Sequence, residues 1–229
     1  MEFQPPTASQ NSLFGDPIMG MLMNQIVTME PGDRLPSERE QALRFNVSRT
    51  ALRDRIGRLE SLGVLERRDR AGTFVIGLRP ETVSEVLTLG LMGSKITVDS
   101  LVPVRVALER QAAIEAARRV DHVNCAHMAV AVDRMDASDD SSELHAADMA
   151  FHQALFNASG SQGLVFFSQV LSTVLSNTMR HLALDRDRVR MRVLHRAILE
   201  AVQSGDETAA VTAVDEHFAW LDELIEFSA

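Results

Sequence analysis

Residues 35–76 read LPSEREQALRFNVSRTALRDRIGRLESLGVLERRDRAGTFVI. Ser37 and Glu40 make an S-x-x-E capping box, which predicts a helix starting after Ser37 and running through Ala42 and Leu43. Phe45-Asn46-Val47 predicts a tight turn, Ser48 a second N-cap, and Gly63 the end of the helix that follows. On that second helix Leu52, Ile56 and Leu59 recur at i, i+4 and i+7, so they form a stripe to be buried. Arg49, Thr50 and Arg53 fall on the other side, in its first two turns. Val64–Glu66 and Thr73–Ile76 predict two short strands, with Arg67, Arg68, Arg70 and Gly72 at the tip between them. A helix, a turn, a second helix with arginines at its start and a basic hairpin form the layout of a winged helix-turn-helix. Its second helix offers N-terminal side chains to base edges in a DNA groove.

Upstream, Ile18, Met21, Leu22, Gln25, Ile26 and Met29 outline a first helix over 18–29, closed by Pro31-Gly32-Asp33. Residues 1–15 are rich in Pro, Ser, Gln and Asn and carry no basic end followed by an apolar run, so they predict a flexible arm rather than a secretory signal. No apolar run approaches the roughly 20 residues that a membrane span needs. The single cysteine, Cys125, excludes an internal disulfide and fits a reducing cytoplasm.

The chain has 229 residues and a formal charge of -9, which argues against nucleic acid until its distribution is considered. Between residues 39 and 70 nine arginines face five acids, whereas residues 77–229 hold 13 Lys+Arg against 22 Asp+Glu. The basic patch therefore coincides with the quoted stretch, and the acidic remainder has other work.

Gly77-Leu78-Arg79-Pro80 predicts a linker over 77–82, and residues 83–229 are helical in pattern throughout. Helices are expected at about 81–92, 97–119, 121–136, 141–158, 162–183, 186–204 and 207–227, which makes an all-α bundle. Asp148 and His152 stand four apart on one helix face. His195 lies ten residues before Gly205 and His217 twelve after it. If Gly205 turns an antiparallel pair, the two imidazoles sit roughly 15 and 18 Å from the turn, nearly level. One carboxylate and three imidazoles suit a divalent ion: Zn first, with Ni, Mn or Fe also compatible. Arg105 and Glu109 form an i, i+4 pair that is either a surface salt bridge or places a guanidinium where it clamps a carboxylate.

The motifs PGDRLPSEREQA, VSRTALRD, RLESLGVLERR and GTFV resemble the winged-helix domain of the GntR family of transcription regulators. The motifs VRVALERQAAIEAA, DMAFHQALFNASGS, LHRAILEAVQSGDETAA and the final EHF resemble the FCD effector-binding domain of its FadR subfamily. The resemblance implies a mainly α protein: a winged helix-turn-helix over 16–76 and an FCD-like helical bundle over 83–229. It implies operator contacts by Arg39, Arg49, Arg53 and Gly72 and phosphate contacts by Ser37 and Thr50. With Ser48 and Arg70 these make the candidate DNA-binding set. The family wing has G-x-G-T-F where this chain has Arg70 in the first glycine's place, and its ASGN is ASGS here, with Ser161. It further implies one metal ion held by Asp148, His152, His195 and His217, and an organic-acid effector met by Arg105. Asn177 and Arg180 are further candidates for the effector pocket. The expected whole is a ligand-responsive regulator, a repressor as the leading expectation with activation also compatible, and not an enzyme. It acts as a homodimer on a pseudo-palindromic operator. The donor set by itself also admits metal sensing, a structural staple, or hydrolysis by a metal-activated water.

Overall fold

Asp16 opens the first helix: its carboxylate accepts from the backbone N–H groups of Ile18 and Met19, and Pro17 needs no partner at the first position. The computed structural model describes residues 15–94, 96–180 and 187–228, with the helical residues 98–99, 176–180 and 224–228 described by backbone alone. The chain divides between Thr82 and Val83 into two compact units.

In the first unit, α1 (Pro17–Ile26), α2 (Glu38–Phe45) and α3 (Arg49–Ser61) precede the antiparallel strands β1 (Leu65–Arg68) and β2 (Gly72–Val75). Helix α1 stops at Ile26, three residues short of the expected end, because the chain tightens into turns at Val27–Met29 before Pro31. Leu52, Ile56 and Leu59 are buried as their spacing requires, packed with Met19, Leu22, Ile26, Leu35, Leu65 and Val75. Ser48 caps α3 by accepting from Ala51 N at 3.1 Å. Ser37 caps α2 by accepting from Glu40 N at 3.2 Å. The reciprocal half of that capping box, from the Glu40 carboxylate, does not form among the described residues. Asn46 takes the left-handed conformation that turns α2 toward α3.

The hairpin pairs Leu65 with Val75 through Arg68 with Gly72, and Leu35 N adds a bond to Thr73 O at 2.8 Å that ties the wing's root to the α2 entry. Arg70 has φ 57, the left-handed region in which a glycine is unstrained. The arginine therefore keeps the tight tip at a cost of about 1–2 kcal/mol.

Helix α4 (Pro80–Met92) begins three residues before the division, and the second unit continues with a short 3-10 helix (Val98–Leu101), α5 (Val102–Arg119), α6 (His122–Ala137), α7 (Ser141–Ala158), α8 (Gln162–Arg180), α9 (Arg188–Ser204) and α10 (Glu207–Ser228). Helix α4 starts at Pro80, inside the expected linker, because proline is accommodated in a first helical turn. The single helix expected over 97–119 is instead a 3-10 segment followed by α5. Pro103 lies in the first turn of α5, and deeper inside one long helix it would have removed a hydrogen bond and clashed with the preceding turn.

Ser161 accepts from Leu164 N at 3.4 Å, at the start of α8, so the residue that stands in place of the family asparagine serves this turn too. Helices α5, α6, α7, α9 and α10 share one core that includes Ala113, Ala116, Met128, Phe151, Leu155, Ile198, Val202, Val214 and Trp220. Gly205, at φ 74, ends α9 and lets α10 return against it. No helix among the described residues is long and apolar enough to cross a membrane.

Candidate functional site

Two sites stand in this chain, one in each unit. In the first unit a groove of about 440 Å³ lies between the starts of α2 and α3 and the wing. It brings together Ser37, Arg39, Arg49, Arg70 and Gly72, and it adds Arg34, Arg67 and Arg68. Ser48, Thr50 and Arg53 do not line it, though all three are exposed on the first turns of α3. The capping serines each use the hydroxyl oxygen to accept from the backbone, which leaves the hydroxyl hydrogen for a phosphate. Two helix N-termini and several guanidiniums in one concavity favour an anion.

The arginines are not equally available. Arg53 is bound to Glu38 through Nε and Nη2 at 3.0 and 2.7 Å. Those bonds, against a small burial penalty and with the charges of Arg67 and Arg49, hold the Glu38 carboxyl below its ordinary range. Arg67 spans Glu60 and Glu38, Arg68 pairs with Glu66 and lies over the Phe74 ring, and Arg55 joins Asp16. The local positive excess counted along the chain is thus partly neutralised in pairs. Arg39 and Arg70 carry no ion pair among the described residues. Arg34, absent from the expected set, packs so closely on Gly72 that a β-carbon there would stand 2.7 Å from its Nε. Glycine is favoured there by its φ of 116, whereas the contact alone would only displace the end of the exposed Arg34 side chain.

In the second unit Asp148, His152, His195 and His217 come together, each offering a ligand atom, with those atoms all within 4.8 Å of one another. All four are buried, none more than 4% exposed. The His195 and His217 rings lie 4.6 Å apart, so the near-level heights expected from Gly205 are realised. His195 Nδ1 is 2.7 Å from Met191 O; a carbonyl only accepts, so Nδ1 carries the proton. Its Nε2 lone pair then faces Asp148 Oδ1 at 3.0 Å, an arrangement that only a proton or a metal cation reconciles. Both nitrogens of His217 and both of His152 lack a hydrogen-bond partner among the described residues. Buried imidazoles left so are costly unless a ligand takes them. These residues fit a metal ion.

Electrostatics supports the same reading. Burial pushes the His217 pKa well below its ordinary value, and the nearby His195 and His152 charges push the same way, so the ring is neutral as a ligand must be. Burial alone would also lower His152, but the carboxylates of Glu109 and Asp148 outweigh it and raise the group to about 9. His152 therefore has to lose a proton before its Nε2 can act as a ligand. Burial opposes ionisation of Asp148, yet His152 and His195 hold it well below the usual carboxylate range.

Arg105 and Glu109 form neither of the expected alternatives cleanly. They are not a surface salt bridge, since both are buried, at 5% and 0% exposure. Nor is the guanidinium free: its Nε donates to Glu109 Oε1 at 2.8 Å, and its Cζ lies 5.7 Å from the Phe218 ring centre. Glu109 Oε2 is 2.7 Å from His152 Nδ1, a contact not foreseen in the sequence. The signal was present: residues 105, 109, 112, 113 and 116 share one face, and its other members are alanines. Phe151 also packs edge-on against His195, with ring centres 4.8 Å apart. Asn177 and Arg180 lie on α8, but their side chains are outside the described residues.

Comparison with known proteins gives the family. Residues 16–75 match the gntR family of bacterial regulatory proteins, and residues 100–219 match the FCD domain. The chain is 29% identical over 204 residues to the HTH-type transcriptional regulator LutR of Bacillus subtilis, covering 86% of this chain and 93% of that one. It is 30% identical over 208 residues to the Uxu operon transcriptional regulator of Escherichia coli, covering 86% and 80%. A Streptococcus agalactiae GntR structure shares the fold with a TM-score of 0.69 at 23% identity, over 92% of this chain and 97% of that one. These relatives are regulators rather than enzymes. The chain belongs to the GntR family of DNA-binding transcriptional regulators, in the FadR-like group whose C-terminal domain is an FCD domain.

Proposed function

We propose that this regulator is a ligand-responsive repressor acting in the cytoplasm as a homodimer on a pseudo-palindromic operator. Each chain carries one zinc ion on Asp148, His152, His195 and His217 and answers to a small organic acid. The observation that carries this reading is the buried set of three imidazoles and one carboxylate beside a buried arginine, in a chain that also presents an arginine-lined groove. Three nitrogens and one oxygen suit zinc, which imposes no geometry of its own.

Charge narrows the effector. Among the described residues the buried charged groups are Arg105, Glu109 and Asp148, apart from the histidines. With a divalent ion and neutral imidazoles they leave one positive charge in excess, which a monocarboxylate would neutralise in a medium of low dielectric. The acid would meet the metal and Arg105, and its binding would change the affinity of the first unit for operator.

Pairing of two chains is supported by α4. That helix buries only Ser84, while Val86, Leu89 and Met92 are 51%, 70% and 80% exposed. A second copy covering this face would hide an apolar stripe and supply the second reading head of a two-fold operator. Light scattering is expected to give a dimer; a monomer at micromolar concentration would overturn the pairing.

A thermal-shift series on zinc-loaded protein with L-lactate, glycolate, gluconate and malonate tests the effector. A matched acid at about 100 times its Kd contributes about 2.7 kcal/mol, a rise of about 5–10 °C for a chain of this size. The same acid should then change operator affinity. The burial of all four donors favours a second reading, in which the metal itself is the signal. Operator affinity that follows zinc with no acid shifting the melting curve would select that reading. If neither zinc nor any acid alters operator affinity, responsiveness to ligand is ruled out.

A further inference from the structure

Glu109 touches two groups that belong to different parts of the site. Its Oε1 accepts from Arg105 Nε at 2.8 Å, and its Oε2 stands 2.7 Å from His152 Nδ1. The second contact has the distance of an ion pair without the alignment of a hydrogen bond. Glu109 is fully buried on α5, and His152 lies on α7 with its Nε2 3.6 Å from Asp148 Oδ1. One ring nitrogen of His152 thus borders the ligand cluster and the other borders Glu109.

We propose that Glu109 is a positioning residue that orients His152 for the metal and couples the metal to Arg105. This rests on the cluster's being a metal centre. Once Nε2 of His152 is a ligand, Nδ1 carries the hydrogen and needs an acceptor, and Glu109 is the carboxylate beside it. A carboxylate in that position fixes the ring's orientation and makes the imidazole a stronger donor to the metal. The same carboxylate neutralises Arg105. An anion that draws Arg105 away leaves more of the Glu109 charge to His152, so anion and metal strengthen each other's binding. Linkage makes that coupling equal in both directions.

The test measures zinc affinity, by competition with a chromophoric chelator, in the full chain and three variants. Glu109→Gln keeps the side chain's shape and all four ligands but is expected to weaken zinc binding about 10- to 100-fold. Glu109→Asp, which keeps the charge, is expected to recover part of that loss, as a filler of space would not. Arg105→Gln is expected to change zinc affinity by roughly fivefold or more when Glu109 is present, and by less than about twofold in the Glu109→Gln background. Wild-type zinc affinity in Glu109→Gln overturns the positioning role, and additive effects of the two substitutions overturn the coupling. If Glu109→Gln does not fold, Glu109→Met, which fills the space without the charge, decides instead: wild-type zinc affinity in that variant, or an Arg105→Gln effect as large there as in the full chain, overturns the proposal. A wild-type chain that binds no zinc would instead overturn the metal centre itself, a result separable from both.

Discussion

Replacing His195 with alanine is expected to abolish metal retention. The ring is fully buried, its Nδ1 is committed to Met191 O, and its Nε2 faces Asp148 at 3.0 Å. A four-ligand zinc site is worth roughly 10–16 kcal/mol, so one ligand's share is about 3 kcal/mol, or roughly two orders of magnitude in affinity. The variant also leaves Asp148 buried with one imidazole fewer, and breaking such an interaction costs about 3–5 kcal/mol of stability. Elemental analysis after dialysis should find about one metal per chain in the wild type and far less in His195→Ala. Trp220, the single tryptophan, has its ring centre 5.8 Å from that of His217, so its fluorescence should report metal binding in the wild type and not in the variant. A wild type purified metal-free under metal-replete conditions, or a variant with full metal content, would remove the centre.

The second large effect is expected at Arg49. It stands at the first position of α3, exposed, on the groove wall. Arg49→Ala should weaken operator binding by about 1–3 kcal/mol, roughly 5- to 150-fold at fixed salt, without altering the melting curve. Anisotropy on a duplex selected by the protein from a random pool measures it; wild-type affinity would show that the assigned face is wrong.

Arg53→Ala should weaken binding by a second route. It deletes a cation and also uncovers the Glu38 carboxylate that Arg53 holds at 2.7 Å, leaving a negative charge beside the phosphates. Adding Glu38→Gln to Arg53→Ala should therefore recover part of the loss. No recovery would mean that the pair has no bearing on DNA affinity.

Most of the first unit was legible because its signals are local. Ser37, Ser48, Asn46 and the Leu52–Ile56–Leu59 stripe act within one or two turns, and the structure uses them as spaced. The meeting of His195 with His217 was legible for a related reason. Two helices of known rise returning from one glycine have only one degree of freedom to place them. Pro103 was equally local and marks the start of α5, although periodicity alone would run one helix from 97 to 119. The expected hairpin forms despite Arg70, whose left-handed conformation the paired strands hold, but the strands run longer toward the tip than expected: Arg67, Arg68 and Gly72, expected at the tip, pair within β1 and β2 because the ladder extends to Arg68 and Gly72.

The sequence alone thus determined the helix-turn-helix with its hairpin and the bundle class, which depend on contacts a few residues apart, and it named four candidate ligands from helix spacing about Gly205 and from the family resemblance. Only the tertiary structure decided which charges are free and which are spent. The Glu38–Arg53 pair joins α2 to α3, and the Arg105–Glu109–His152 chain joins α5 to α7. The Glu109–His152 contact forms where packing removes water from groups distant in sequence, and in that low-dielectric setting the nearest opposite charge outweighs any pattern along one helix; the solvent-exposed Glu38–Arg53 pair is set instead by the approach of α2 to α3.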